Sequence, residues 1–280
     1  MIGHGEGQRM WVFVINLDRD RERLERMVGE CQRVGLTFER FAAVDGNRLE
    51  PDLRDQFYDG DILHEPAFTP GEIGVYASHL RILRLLESRD GEYALIFEDD
   101  VRLAEDLVPT IQAAVAAAKD WDIIRLSNAT KSVFKPVAQL GGGRELAKYW
   151  TVPNSAGAYL ISRTGAIKFA NGYDKRTMPI DEDLRRPWQT GLVTYGVLPP
   201  PVEPDVLEGS TIDSMGRDRK LSARSRFKDA APWRDVLARL RYRLETFGAL
   251  DFARGLAQSL AASAVKKIRG RKAAAKLYRL

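Results

Sequence analysis

A chain of 280 residues, 44% hydrophobic and 29% charged, fits a soluble globular protein with a sizeable core. Its one cysteine, Cys31, excludes a disulfide framework or Cys-rich metal site, and no apolar run reaches the roughly 20 residues needed to span a bilayer. The net charge of +4 is uneven: residues 225–280 hold 14 Lys/Arg against 4 Asp/Glu, a balance of +10, so residues 1–224 carry −6.

This asymmetry predicts two parts, an acidic body over 1–224 and a basic extension over 225–280. The first apolar run, Trp11–Ile15, is too short for a signal-peptide core, which together with the single thiol predicts a cytoplasmic location.

Met10–Asn16 is a continuous apolar run suited to a strand buried on both faces. A helix is expected over Asp20–Val34, with Leu24, Met27, Val28 and Cys31 on one stripe, and Gly35 ends it. Thr37–Ala43 reads as a second strand closed by Asp45-Gly46, completing a βαβ unit and implying a parallel sheet. Pro51–Tyr58 is a short helix, and Thr69-Pro70-Gly71-Glu72 has the form of a capping box opening a helix to Ser88. Tyr93–Phe97 is the clearest strand, followed by a helix over Ala104–Lys119 and a strand over Asp122–Leu126. Gly141-Gly142-Gly143 suits a hairpin tip, Ala156–Ile161 a strand, Thr164–Ala170 a helix, Pro179–Leu184 a short helix and Leu192–Val197 a last strand. The expected fold class is α/β with a mostly parallel central sheet and a basic helical extension.

The chemistry concentrates at Glu98-Asp99-Asp100, directly after Leu95-Ile96-Phe97. Three adjacent carboxylates at a strand end repel one another unless a cation or basic side chains offset them. Open α/β sheets bind ligands at such ends, and oxygen-rich sites suit Mg²⁺ or Mn²⁺ bridging phosphates. The plain structural alternative is a solvated turn that caps a helix beginning at Leu103. Asn16-Leu17-Asp18-Arg19, at the end of the first strand, lies where a nucleotide would sit, and Arg19, Arg21 and Arg23 could pair with a diphosphate. His79 is either a core histidine or a substrate- or metal-site residue. Asp181-Glu182-Asp183 forms a second acidic cluster, whose alternative role is to favour a helix N-terminus. Asp181 and Asp183 would lie on different sides of that helix.

In order along the chain, Val14–Asp18 with Arg23, Phe41–Gly46, Gly71–Gly74, Ser78–Leu80, Ala94–Val101, Trp121–Leu126, Gly157–Ser162 and Pro179–Asp181 resemble glycosyltransferase family 25. The resemblance implies a GT-A-like nucleotide-sugar fold. It also implies an inverting transfer, usually of galactose from a UDP-sugar with Mn²⁺ or Mg²⁺, to a glycan or lipid-linked glycan acceptor in cell-surface polysaccharide synthesis. It places Asp100, with Asp99, at the metal, and Asn16, Leu17, Asp18, Arg23, Asp45, His79, Glu98 and Asp99 around the donor. Asp181 falls at the acidic residue of the later motif, either the general base or a second donor-site carboxylate. The rivals are a metal-dependent phosphohydrolase, although Glu98–Arg102 lacks an Asp-x-Asp-x-Thr pattern, and a non-catalytic binding protein with a degenerate transferase fold.

The extension has Val236, Leu237, Leu240, Leu244 and Phe247 on one side and arginines on the other, then Lys266–Lys272. Such a pattern predicts contact with an anionic membrane surface. Nucleic acid is disfavoured, because aromatic residues are not interleaved with the charge.

Overall fold

The computed structural model describes residues 2–4, 8–63, 69–205, 233–269 and 274–280. The boundary expected near residue 225 therefore lies outside the described residues.

Strand β2 (Gln8–Asn16) is apolar on both faces from Met10 to Ile15, a stretch buried by helices on both sides of the sheet. Its first half pairs antiparallel with β1 (Ile2–His4). Its second half pairs parallel with β3 (Glu39–Ala42), after the crossover α1 (Arg21–Arg33). Met27 and Cys31 of α1 pack into the core on one face, and burial pushes the Cys31 thiol up to about 12, so it serves as a core side chain.

From β3 the chain passes through α2 (Pro51–Phe57) and the hairpin β4 (Tyr58–Asp59) and β5 (Ile62–Leu63) to α3 (Pro70–Ser88). The capping box forms: the Glu72 amide donates to Thr69 Oγ1 at 3.2 Å, and the Thr69 amide donates to Glu72 Oε2 at 2.9 Å. α3 covers the opposite face through Ile73, Tyr76, Leu80 and Leu83, and the chain enters β6 (Tyr93–Glu98), parallel to β2. Each such fully buried side chain stabilises by about 1.5–3 kcal/mol.

The expected mostly parallel sheet proves to be mixed. Its order is β1-β2-β6-β11-β8-β12-β10-β9, with β3 on β2. Only β2–β3, β2–β6 and β8–β12 are parallel, and the other five pairings are antiparallel. Here β8 is Ile123–Arg125, β9 Phe134–Gly141, β10 Arg144–Tyr149, β11 Ala158–Ser162 and β12 Thr194–Leu198. The reason is local. Between β8 and β11 the chain makes no crossover helix but the β9–β10 hairpin, whose tip Gly141-Gly142-Gly143 has φ of 85°, 58° and 76°. It returns from the other end, so β11 inserts antiparallel between β6 and β8.

Val101–Leu103 is a strand, β7, paired with β13 (Val202–Pro204), and the next helix, α4 (Leu107–Ala117), starts later than expected. The acidic triplet therefore does not cap a helix at Leu103. Helices α5 (Arg163–Asn171), α6 (Ile180–Asp183) and α7 (Pro187–Thr190) follow, and the extension forms α8 (Trp233–Arg269), broken at Gly248 with φ 76°.

Candidate active site

β2 is where the sheet changes direction: α1 carries the chain to one side of it, and α3 carries it back across to the other. Such a switch point opens a crevice at the carboxyl ends of the strands. Because β2 and β6 run parallel with Ile15 opposite Glu98, the ends of both strands deliver their polar residues to one place. The crevice is a cleft of about 370 Å³ walled by residues 15–20 and Arg23, by 43–47, by Pro70, Gly71, Gly74 and Val75 of α3, and by Glu98, Asp99 and Asp100. Asn16, Leu17, Asp18, Arg23, Asp45, Glu98, Asp99 and Asp100 are thus brought together as expected.

Within it Asp99 is already engaged. Asn16 Nδ2 donates to its Oδ2 at 2.7 Å and Arg23 Nη1 to its Oδ1 at 3.1 Å, and its side chain is 11% exposed. Asp100 is looser, 34% exposed and 3.9 Å from Arg23. Burial, then repulsion from Glu98 and Asp99, pushes the Asp100 carboxyl up to about 6. Burial also raises Asp99, although Asn16 and Arg23 counter it. For Arg23, burial alone would lower the value, but attraction to Asp99 and more weakly to Asp100 carries it upward. One guanidinium thus faces more negative charge than it offsets, a donor set that suits a divalent cation. Among the described residues no three His, Cys, Asp or Glu side chains converge to hold a metal alone. A cation at Asp100 would complete its shell with phosphate oxygens and water, as Mg²⁺ and Mn²⁺ do at nucleotide sites.

Two glycines set the cleft's width. A Cβ on Gly46 would lie 1.8 Å from the Pro70 carbonyl oxygen, and one on Gly74 would lie 2.5 Å from the Val44 oxygen. These contacts let the 43–47 loop lie directly on the start of α3, where the Val44 amide also donates to Ser78 Oγ at 2.8 Å. Gly74→Ala is expected to push the loop outward, destabilising by about 1–3 kcal/mol. Urea unfolding checks this; unchanged stability would count against the close-packed wall.

His79 stands behind the cleft wall rather than in it. It is fully buried, with Nδ1 2.8 Å from Tyr159 Oη and Nε2 3.6 Å from Glu98 Oε1. Asp181, on α6, is half-buried and is not among the residues that wall the cleft. The predicted split between Asp181 and Asp183 holds. Asp183 is buried and accepts a hydrogen bond from Tyr76 Oη at 2.7 Å, while Arg176 Nη1 donates to that same oxygen at 3.0 Å. Burial pushes Asp183 up to about 7. Tyr76→Phe is expected to strip both buried charges of a partner and destabilise by about 2–3 kcal/mol, read as a lower urea midpoint. An unchanged midpoint would show that this network holds nothing together.

Arg125 is the residue that sequence reading passed over. It is 1% exposed, and none of its guanidinium nitrogens has a hydrogen-bond partner among the described residues. On the α3 side of the sheet it sits between Tyr159 and Gly196 in register, 5.9 Å from the Tyr159 ring centroid. Burial lowers its pKa, offset in part by Tyr149, Tyr159, Asp181 and Glu98, so its positive charge acts on both carboxylates. The available signal was a charged residue inside Ile123-Ile124-Arg125-Leu126, a strand otherwise apolar.

The model of glycosyltransferase family 25 (LPS biosynthesis protein) matches residues 10–184, the stretch that builds this cleft and ends just past α6. The chain belongs to glycosyltransferase family 25. Among its family-25 relatives, procollagen galactosyltransferase 1-A of Xenopus laevis is 29% identical over 62% of this chain and 30% of its own length. A glycosyltransferase 25 family member of Aedes aegypti is 32% identical over 61% of this chain and 30% of its own. Procollagen galactosyltransferase 2 of Homo sapiens is 29% identical, over 62% and 29%. The match thus spans less than a third of these relatives' length.

Proposed function

We propose that this family-25 chain is a metal-dependent, inverting galactosyltransferase of GT-A type. It moves galactose from UDP-galactose to a hydroxyl of a cell-surface or lipid-linked glycan. The observation that carries the reading is the pairing of strand ends: Asn16 and Glu98-Asp99-Asp100 share one cleft, with Arg23 paired to Asp99 and Arg40 held on Asn16. The relatives' names support the sugar, and the family's description supports the acceptor class. The cytoplasmic face of a membrane is the location proposed with it, and no helix among the described residues is long and apolar enough to cross a bilayer.

The diphosphate of the donor is assigned to the start of α1. There Asp20 makes no side-chain capping bond, so the first amides remain for phosphate oxygens beside Arg19. Mn²⁺ or Mg²⁺ bound at Asp100, with Asp99 or Glu98 near, would supply neutralisation of charge on the leaving diphosphate. Asp181 accepts the proton of the acceptor hydroxyl as that oxygen forms its bond to the anomeric carbon. The bond from that carbon to the diphosphate oxygen breaks on the opposite side, and its electron pair leaves with UDP. Arg125 lies within electrostatic reach of Asp181. His79, hydrogen-bonded to Tyr159 through Nδ1, stands 3.6 Å behind Glu98.

Thermal unfolding with UDP, GDP or CMP, each with and without Mn²⁺, tests the reading. UDP with Mn²⁺ is expected to stabilise most, by about 2.7 kcal/mol at a hundredfold excess over Kd. Equal response to all three nucleotides, or none to UDP, would contradict it.

A further inference from the structure

Of the eleven large hydrophobic side chains that stand exposed among the described residues, eight belong to α8: Trp233, Val236, Leu237, Leu244, Leu250, Leu256, Leu260 and Ile268. They are not leftovers of a loosely attached helix, because another face of α8 is packed. Trp150 meets Phe247 and Phe252 at ring distances of 5.5 and 5.6 Å, and Arg243 Nε donates to the Trp150 carbonyl at 2.9 Å. Trp188 Nε1 donates to Asp235 at 2.7 Å. Gly255 brings the helix so close that a Cβ there would lie 2.7 Å from the Trp150 ring.

The outer apolar residues follow helical spacing. Trp233, Leu237, Leu240 and Leu244 recur at 4, 3 and 4 residues, and beyond the Gly248 break Leu256, Leu260, Ala264 and Ile268 recur every 4. Trp233, Leu260 and Ile268 are 68%, 66% and 81% exposed. This helix is therefore apolar on two sides, one against the body and one against nothing in the chain's described residues.

Charge decides what fits the outer side. α8 carries eight Lys/Arg and three Asp/Glu. The three acids are already engaged, Asp235 by Trp188, Glu245 by Arg241 and Asp251 by Lys135. On the flank of α8 where it meets the body, Lys131, Lys266, Ser259 and Ser263 line a small pocket of about 90 Å³ whose cations and hydroxyls suit a phosphate. An exposed apolar stripe with a surplus of cations matches the boundary of an anionic bilayer, where leucines and tryptophan enter the acyl edge and lysines meet headgroup phosphates.

We propose that the outer face of α8 lies flat on an anionic lipid surface and seats one phospholipid headgroup in the Lys131–Lys266 pocket. The contact is independent of the transfer chemistry and is read without it.

The test is co-flotation of the full chain with phosphatidylcholine vesicles, with or without phosphatidylglycerol, at low and high salt. Binding is expected only to the anionic vesicles, with release by salt. Lys266→Ser and Lys267→Ser should each lower partitioning roughly five-fold. Leu256→Ser with Leu260→Ser should abolish it while nucleotide binding in the cleft stays unchanged. Absence of binding at low salt, or equal binding to neutral vesicles, would overturn the proposal. So would either of two further results. One is concentration-dependent self-association abolished by the leucine variant, which would make the occupant a second copy. The other is a lower melting temperature of that variant in lipid-free buffer, which would mean the stripe is already covered by the chain itself.

Discussion

Asp181→Asn is expected to lower transfer by about 10²–10⁴-fold while leaving the donor KM within about twofold of wild type. An amide keeps the size and a hydrogen-bonding oxygen but cannot take the acceptor proton, so the loss falls on turnover. The position of Asp181 outside the cleft wall fits this division, since the proposed nucleotide contacts are Asn16, Arg23 and the triplet, which line the cleft. The pH profile supplies an independent readout: the wild-type acid limb, set by ionisation of the base, should disappear in the variant. Steady-state kinetics with varied donor at saturating acceptor decides it. A raised donor KM with preserved turnover would instead make Asp181 a donor-site carboxylate.

Asp100→Asn should act in opposite directions on function and on stability. Burial and the neighbouring Glu98 and Asp99 hold the Asp100 carboxyl near about 6, above its ordinary value of 3.8. A group raised in this way binds its proton more tightly folded than unfolded. Its contribution therefore favours the fold as pH drops toward the unfolded value and opposes it above the folded one. At neutral pH the ionised carboxylate is a cost to the ligand-free protein, and removing the charge should stabilise it by about 1–2 kcal/mol, the exposed third being screened by water. The difference should vanish below about pH 4. The same substitution is expected to remove metal-dependent turnover by about a thousandfold or more. Urea denaturation at pH 4 and pH 7, paired with a turnover assay, reads both effects. Destabilisation at neutral pH would mean that Arg23 already balances Asp100.

The parts of the fold that repeat a local rule were legible. The βαβ start, the Thr69 capping box and Tyr93–Glu98 depend on hydrophobic period and capping chemistry, which lie within a few residues of chain. The sheet's mixed order was not legible, because strand direction beyond β6 depends on where the β9–β10 hairpin returns the chain. The strand Val101–Leu103 is not legible from the sequence, since its partner Val202–Pro204 lies about a hundred residues away.

The cleft residues were legible because they end strands. Asn16 and Asp99, separated by 83 positions, meet only through the parallel pairing of β2 and β6. Arg125 and the glycine contact of Gly74 with Val44 were not, because both depend on what lies across a packed layer. His79 illustrates the same limit: its motif is near the site in sequence order, yet the helix turns it inward to Tyr159.

The proposed function requires that the cleft at β2 and β6 activate a nucleotide-sugar. Incubation with a panel of nucleotide-sugars and a galactose-accepting oligosaccharide, with and without Mn²⁺, followed by assay of free nucleotide and free phosphate, addresses it most directly. UDP release from UDP-galactose that needs both Mn²⁺ and acceptor, and that is lost in Asp100→Ala, is the predicted result. Phosphate release without regard to the sugar, or no nucleotide release from any donor, would contradict it.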